Sequence, residues 1–249
     1  MMRLAIPLAV VAALLRGAWL DANPRFVVET VLTGVTQPAA MTFLPDGDAL
    51  VVSRNRATIE RVGLSSGRRV GVDGVPPVLT GEDAGIHDLV LHTRFVTTHW
   101  VYVSYSEDTA DRSTLAVDRY TLDEDHLTER LRVFTADAYS EDRFHYGGRL
   151  LSTGTQLFIT VGDRHHEARS QALSTHAGKI VRINDDGSVP PDNPFTATPA
   201  ARREIWSLGH RNPQGLFVQP STGHLWSLEH GPKEGDELNR IERGGNYGW

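Results

Sequence analysis

The sequence contains no cysteine. That excludes disulfides, thiolate catalysis, cysteine-ligated zinc and iron–sulfur clusters. It does not place the chain in a reducing compartment, because an exported protein can do without disulfides. Lysine is nearly absent: Lys179 and Lys233 are the two lysines among 25 Lys and Arg. A compositional bias toward arginine accounts for that scarcity. Basic charge is not in excess, since 31 Asp and Glu give a formal net charge of -6 over 249 residues. This balance argues against a nucleic-acid protein, which carries a basic surface or stripe. Familiar catalytic signatures are also missing: no G-x-S-x-G, no H-E-x-x-H, no phosphate-binding glycine loop and no dinucleotide fingerprint. Amphipathic helical patterns of any length are scarce.

What is present begins with an uncharged run from Leu4 to Leu15, set between Arg3 and Arg16. It is too short to span a bilayer as a helix but suits the core of an export signal. Small residues at Gly17, Ala18 and Ala22 follow, so residues 1–22 are expected to be a signal peptide. No later segment resembles a membrane span.

The remainder, 23–249, is rich in short β-branched or alternating runs bounded by Gly, Pro, Asp and Asn, which predict strands. Phe26–Leu32, Ala49–Ser53, Trp100–Tyr105, Gln156–Val161, Lys179–Ile183 and Leu225–Leu228 are examples. One unit recurs: an apolar strand, a turn, and a second apolar strand ending in a polar tip. Its copies are residues 40–54, 88–107, 147–164 and 214–231. Further strands are expected at Ala57–Gly63, Thr114–Leu122 and Gly178–Asn184. Repeats of about 40–50 residues with four strands each are propeller blades. The expected fold is therefore an all-β propeller with about four blades. The chain ends at Gly244-Gly245-Asn246-Tyr247-Gly248-Trp249, a turn-rich aromatic stretch, and a C-terminally truncated fragment is expected.

Propeller ligands bind at loops on one end of the channel, so the polar tips of the repeats are the candidate sites. His145, in FHYGGRL (144–150), has the residue type for a general base near neutral pH. The loop GHRNPQG (209–215) brings together His210, Arg211, Asn212 and Gln214. Arg offers a planar fork of donors and Asn both donor and acceptor, a set suited to an oxygen-rich ligand or a developing oxyanion. The segment EHGPKEGDELN (229–239) carries Glu229, Glu234, Asp236 and Glu237, and carboxylates with exposed carbonyls suit calcium. The adjacent His165 and His166, before Glu167, are expected on a surface loop, because neighbouring side chains of an extended segment point apart.

Five motifs in order carry a resemblance to a known family. They are HYGGRL (145–150), LFITVGDR (157–164), GKIVRINDDGSVPPDNPF (178–195), IWSLGHRNPQGL (205–216) and EHGPKEGDELNRI followed by GGNYGW (229–249). Together they resemble the soluble quinoprotein glucose dehydrogenases and aldose sugar dehydrogenases that use pyrroloquinoline quinone (PQQ). Residues 35–54 and 84–107 resemble the family more loosely. The resemblance implies a six-bladed propeller, usually exported, which oxidises an aldose at its anomeric carbon to the lactone and passes electrons to an external acceptor. It implies His145 as the general base, with hydride passing to C5 of PQQ. Arg211 would polarise the C5 carbonyl, and Asn212 would bind the quinone. One calcium ion would be held by PQQ and the backbone carbonyls of Gly231 and Pro232. A second, structural calcium would use Glu237, the Tyr247 backbone and Asp236.

The sequence also departs from the family. The family's Gly-Gly-Leu-Leu stretch, preceded by glutamine near the cofactor, is Ala84-Gly85-Ile86-His87 here, preceded by Asp83. Asp83 is thus the candidate cofactor contact of that loop, and His87 is expected to be a replacement core residue. The family continues past NYGW for about two more blades that carry the cations clamping the PQQ carboxylates, so this chain alone is expected to be weakly active or inactive. Two other functions stand beside the dehydrogenase: a non-catalytic binding propeller and a metal-dependent sugar lactonase.

Overall fold

A computed structural model describes residues 27–249. The expected signal peptide, residues 1–22, lies outside the described residues. Among the described residues, Gly34–Trp249 form one compact unit that holds the sheets. It contains four antiparallel sheets, each built from strands adjacent in sequence. Blade 1 is β1 (Pro38–Phe43), β2 (Asp48–Ser53), β3 (Thr58–Gly63) and β4 (Arg69–Gly71). Blade 2 is β5 (Ile86–Leu91), β6 (Trp100–Thr109), β7 (Arg112–Asp123) and β8 (His126–Thr135). Blade 3 is β9 (Gly147–Thr153), β10 (Gln156–Val161), β11 (Lys179–Asn184) and β12 (Ile205–Leu208). Blade 4 comprises β13 (Pro213–Val218), β14 (Leu225–Glu229) and β15 (Glu237–Ile241). All four repeated units seen in the sequence are blades. The expected strand Phe26–Leu32 is not one: residues 27–32 belong to no sheet, and Phe26 lies outside the described residues. A β-branched run becomes a strand only where a neighbouring backbone takes its hydrogen bonds.

In blade 4 the second strand leaves Leu228 exposed, but in blades 1–3 it lies between strands of its own sheet and is buried on both faces. This is why LVV, VYV and FITV read as continuous apolar runs rather than alternating ones. Leu50, Val52, Val101, Val103, Ile159 and Val161 are fully buried. The first strands, β1, β5, β9 and β13, pack side by side along the channel. One guanidinium ties them together. Arg149 on β9 donates 2.9 Å hydrogen bonds to the carbonyls of Ala39 on β1 and His87 on β5, and reaches Gln214 on β13.

The same antiparallel order fixes where the site forms. The start of each first strand faces the end of the second, as in Gly147 opposite Val161 and Pro213 opposite Glu229. Segments entering β5, β9 and β13 and leaving β10 and β14 therefore gather at one end of the blades. Asp83, His145, Asp163, Arg211 and Asn212 all lie on those segments.

Candidate active site

His145 enters β9 in the left-handed region, with φ of 51°. For a non-glycine residue this is uncommon and must be held by its surroundings. Gly162 meets it from blade 3's second strand. A Cβ at Gly162 would lie 2.0 Å from the His145 carbonyl oxygen, so only glycine lets the two backbones approach. The His145 ring is buried, and its Nδ1 lies 2.7 Å from Oδ1 of Asp163. An ionised carboxylate only accepts, so Nδ1 carries the hydrogen and Nε2 is the nitrogen left to act as a base. Burial pushes the Asp163 carboxyl up, but hydrogen bonds from His145, Trp249 and the His165 amide outweigh it and hold it below the usual carboxylate range.

Trp249 donates its Nε1–H to the other oxygen of Asp163 at 2.7 Å. The Arg211 guanidinium lies over the Trp249 ring, 5.6 Å from its centroid, and donates to the His230 carbonyl. The Arg211 carbonyl accepts from the Asp163 amide. Asn212 is buried, its Oδ1 accepting from the Gly147 amide and from Gln214. His145, Asp163, Arg211, Asn212 and Trp249 thus form one connected set from two blades and the chain's last residue. Gln171 fastens that residue by donating to the Trp249 carbonyl at 2.6 Å.

The other candidate residues fall in three groups. Gly231, Pro232, Glu237 and Tyr247 line a cavity of about 230 Å³ together with Arg211 and Trp249. Asp236 lines the neighbouring cavity with Glu237, and its Oδ1 accepts from the Gly231 amide. Asp83 lies ahead of β5, where its amide donates to the Arg143 carbonyl two residues before His145. Its carboxylate makes no hydrogen bond to His145, Arg211 or Asn212 among the described residues.

Glu229 differs from its expected place among the calcium oxygens. It is buried, and its carboxylate meets the His210 ring at 3.1 Å and accepts from the Arg211 amide at 2.8 Å. It holds the 210–212 loop in place. His87 is the buried residue its position predicts: it stacks on Tyr146 and meets the Ser106 hydroxyl at 2.8 Å. Burial, and then the charges of Arg54, Arg149 and Arg164, push its pKa well down, so it is a neutral interior residue. His166 is exposed, as expected of a surface loop. His165 is exposed too, yet its ring packs edge-on against His145, with centroids 4.1 Å apart. Sequence reasoning passed over Asp163 and Trp249 as partners of His145. The available signal was a carboxylate set directly after an apolar strand, where a polar tip reaches the site.

A sequence profile of the Glucose / Sorbosone dehydrogenase family matches residues 35–249. The chain belongs to that family. It is 35% identical over 226 residues to the aldose sugar dehydrogenase YliI of Escherichia coli, covering 89% of this chain and 61% of that protein. It is 30% identical over 256 residues to quinoprotein glucose dehydrogenase B of Acinetobacter calcoaceticus, covering 91% and 53%. Among solved structures, the apo aldose sugar dehydrogenase of E. coli superposes with a TM-score of 0.85 at 35% identity, over 89% of this chain and 65% of that one. The PQQ-bound aldose sugar dehydrogenase of Streptomyces coelicolor gives 0.78 at 33% identity, over 90% and 65%. The chain spans less than two thirds of the length of these family members.

The site's chemistry fits a flat quinone. Arg211, Asn212 and the His145 ring present polar groups beside the flat Trp249 indole, and the cavity next to Arg211 is lined by Trp249 and Tyr247 together with Gly231, Pro232 and Glu237. For calcium the agreement is incomplete. The loop at 231–237 offers oxygens, but among the described residues no three His, Asp or Glu side chains gather to hold a metal ion.

Proposed function

We propose that this chain forms the base-bearing side of a PQQ-dependent aldose dehydrogenase that oxidises a sugar at its anomeric carbon to the lactone. The observation carrying the proposal is the buried His145–Asp163 pair joined to Trp249 and Arg211 at the loop end of the blades. Nε2 of His145 takes the proton of the anomeric hydroxyl. Asp163 keeps the ring in the matching tautomer and stabilises the imidazolium as it forms, without itself taking the proton. PQQ, when bound, supplies an ortho-quinone that accepts the hydride of the anomeric C–H. Arg211 donates to the oxygen on which negative charge develops, inside a site partly closed to water. Asn212, whose Oδ1 is held by Gly147 and Gln214, offers its Nδ2 amide to the quinone. Asp83 borders the cofactor from the β5 side.

Calcium is proposed at the carbonyls of Gly231 and Pro232 and, as a second ion, at Glu237, Asp236 and the Tyr247 backbone. No step is routed through either. An external electron acceptor is the proposed redox partner. Export is proposed from the uncharged run at residues 4–15, and no helix among the described residues is long and apolar enough to cross a membrane.

Calorimetric titration of PQQ into the protein with calcium present tests the proposal. Saturable binding, weakened tenfold or more by Arg211→Ala, is the expected result. No saturable binding, or equal binding by Arg211→Ala, contradicts it.

A further inference from the structure

Arg164 is among the largest fully buried side chains, and among the described residues no carboxylate hydrogen-bonds to it. Its guanidinium is instead spent on the backbone that delivers His145. Nε donates to the Phe144 carbonyl at 2.9 Å, and Nη2 donates to the Asp142 carbonyl. Nη1 reaches the Ala138 carbonyl at 3.4 Å and the Ser113 carbonyl at 3.1 Å. Nη2 also meets the Ser113 hydroxyl at 3.2 Å, and the Tyr146 hydroxyl meets that same oxygen at 2.6 Å. The guanidinium carbon lies over the Tyr146 ring, 3.7 Å from its centroid.

Three consecutive residues therefore grip residues 138–146 from beneath. Gly162 makes room for the His145 carbonyl and donates its amide to the Tyr146 carbonyl. Asp163 holds the imidazole. Arg164 collects the carbonyls on either side of the approach and anchors them to Ser113 on β7, in the next blade. His145 has a left-handed backbone, and so does Arg164, with φ of 58°. Conformations of this kind persist only when neighbouring structure over-determines them. Five donors in a rigid fork can satisfy several divergent acceptors at once; an ammonium has three donors at a single point.

We propose that Arg164 is a positioning residue that sets the aim of the His145 imidazole by fixing the backbone of residues 138–146 against blade 2. This rests on the proposed role of His145. Its primary test needs neither PQQ nor sugar, so the two stand or fall separately.

The test is the proton resonance of the His145 Nδ1–H bonded to Asp163, followed in wild type, Arg164→Lys and Arg164→Ala, with β-sheet circular dichroism measured alongside. Both variants are expected to keep the sheet signal and to lose or broaden the resonance. Millimolar guanidinium is expected to restore it in Arg164→Ala and not in Arg164→Lys, whose side chain still fills the site. In the protein loaded with PQQ, the single-turnover rate of PQQ reduction by an aldose falls tenfold or more in Arg164→Ala and recovers with the added cation, while sugar affinity stays within twofold. An unchanged resonance in both variants overturns the proposal. So does a folded Arg164→Ala whose resonance guanidinium fails to restore. Loss of the sheet signal in both variants overturns it as well, assigning Arg164 to folding rather than to the aim of one ring.

Discussion

Lys179, one of only two lysines in the sequence, is fully buried at the start of β11. Its Nζ donates to the carbonyls of Arg169, Ser170 and Ala177 at 2.7–3.0 Å. Burial, and then the charge of Arg169, pull its pKa from 10.5 down to about 7. In the unfolded chain Lys179 is an ordinary ammonium, so between about pH 7 and 10.5 the unfolded state binds more protons than the native one. Stability therefore rises with pH across that window, at up to about 1.4 kcal/mol per pH unit. Below the folded value both states hold the proton and the contribution is flat. Integrated from pH 7 to pH 9, the gain is about 2 kcal/mol. Lys179→Met removes the titration and leaves three buried carbonyls without a donor, at a cost of about 1–3 kcal/mol. Urea unfolding of both proteins at pH 6, 7, 8 and 9 checks this. The difference between wild type and variant should be flat from pH 6 to 7 and should widen by about 2 kcal/mol from 7 to 9. A difference that does not change with pH would refute the reasoning. It would mean that the three carbonyls hold the ammonium charged despite burial.

Other perturbations follow from the same contacts. Asp163→Asn replaces an acceptor of the Trp249 indole with an amide that can present a second donor there. It is expected to lower single-turnover sugar oxidation about 10³-fold or more, by analogy with loss of a histidine's carboxylate partner; stopped-flow absorbance checks it. Gly162→Ala drives a Cβ into the His145 carbonyl and should cost about 1–3 kcal/mol, read by urea unfolding. Asp118 is fully buried on β7 and carries Arg130, Arg132, Tyr105 and Tyr120. Asp118→Ala leaves that cluster unbalanced and should cost about 3–5 kcal/mol, measured the same way. Phe217, Leu228 and Leu238 are exposed on the three strands of blade 4. Apolar patches of this kind promote association, so replacing all three with threonine should reduce self-association in sedimentation velocity.

Blades 1–3 were legible in the sequence because their second strands are buried on both faces and so read as unbroken apolar runs. The outer strands were harder to see. β4 is three residues long with no residue fully buried, and β12 follows β11 only after a connection of twenty residues. His145 and the 209–215 loop were visible as polar tips beside strands. Their partners were not, because Asp163 reaches His145 across a β-hairpin and Trp249 reaches Asp163 from the far end of the chain. Glu229 was misplaced for the same reason: composition shows a carboxylate in an acidic loop, and only the fold shows it turned inward onto His210. Lys179 stood out as a rare residue, but nothing local indicated that it would be buried.

The central claim is that the His145–Asp163–Arg211 set serves hydride removal from the anomeric carbon of an aldose. Single-turnover reduction of PQQ by glucose, compared with glucose deuterated at C1, tests it most directly, and even a slow reaction suffices. The account predicts a rate several-fold lower with the deuterated sugar and reduction abolished in His145→Ala. Equal rates for the two sugars, with full reduction by His145→Ala, would contradict it.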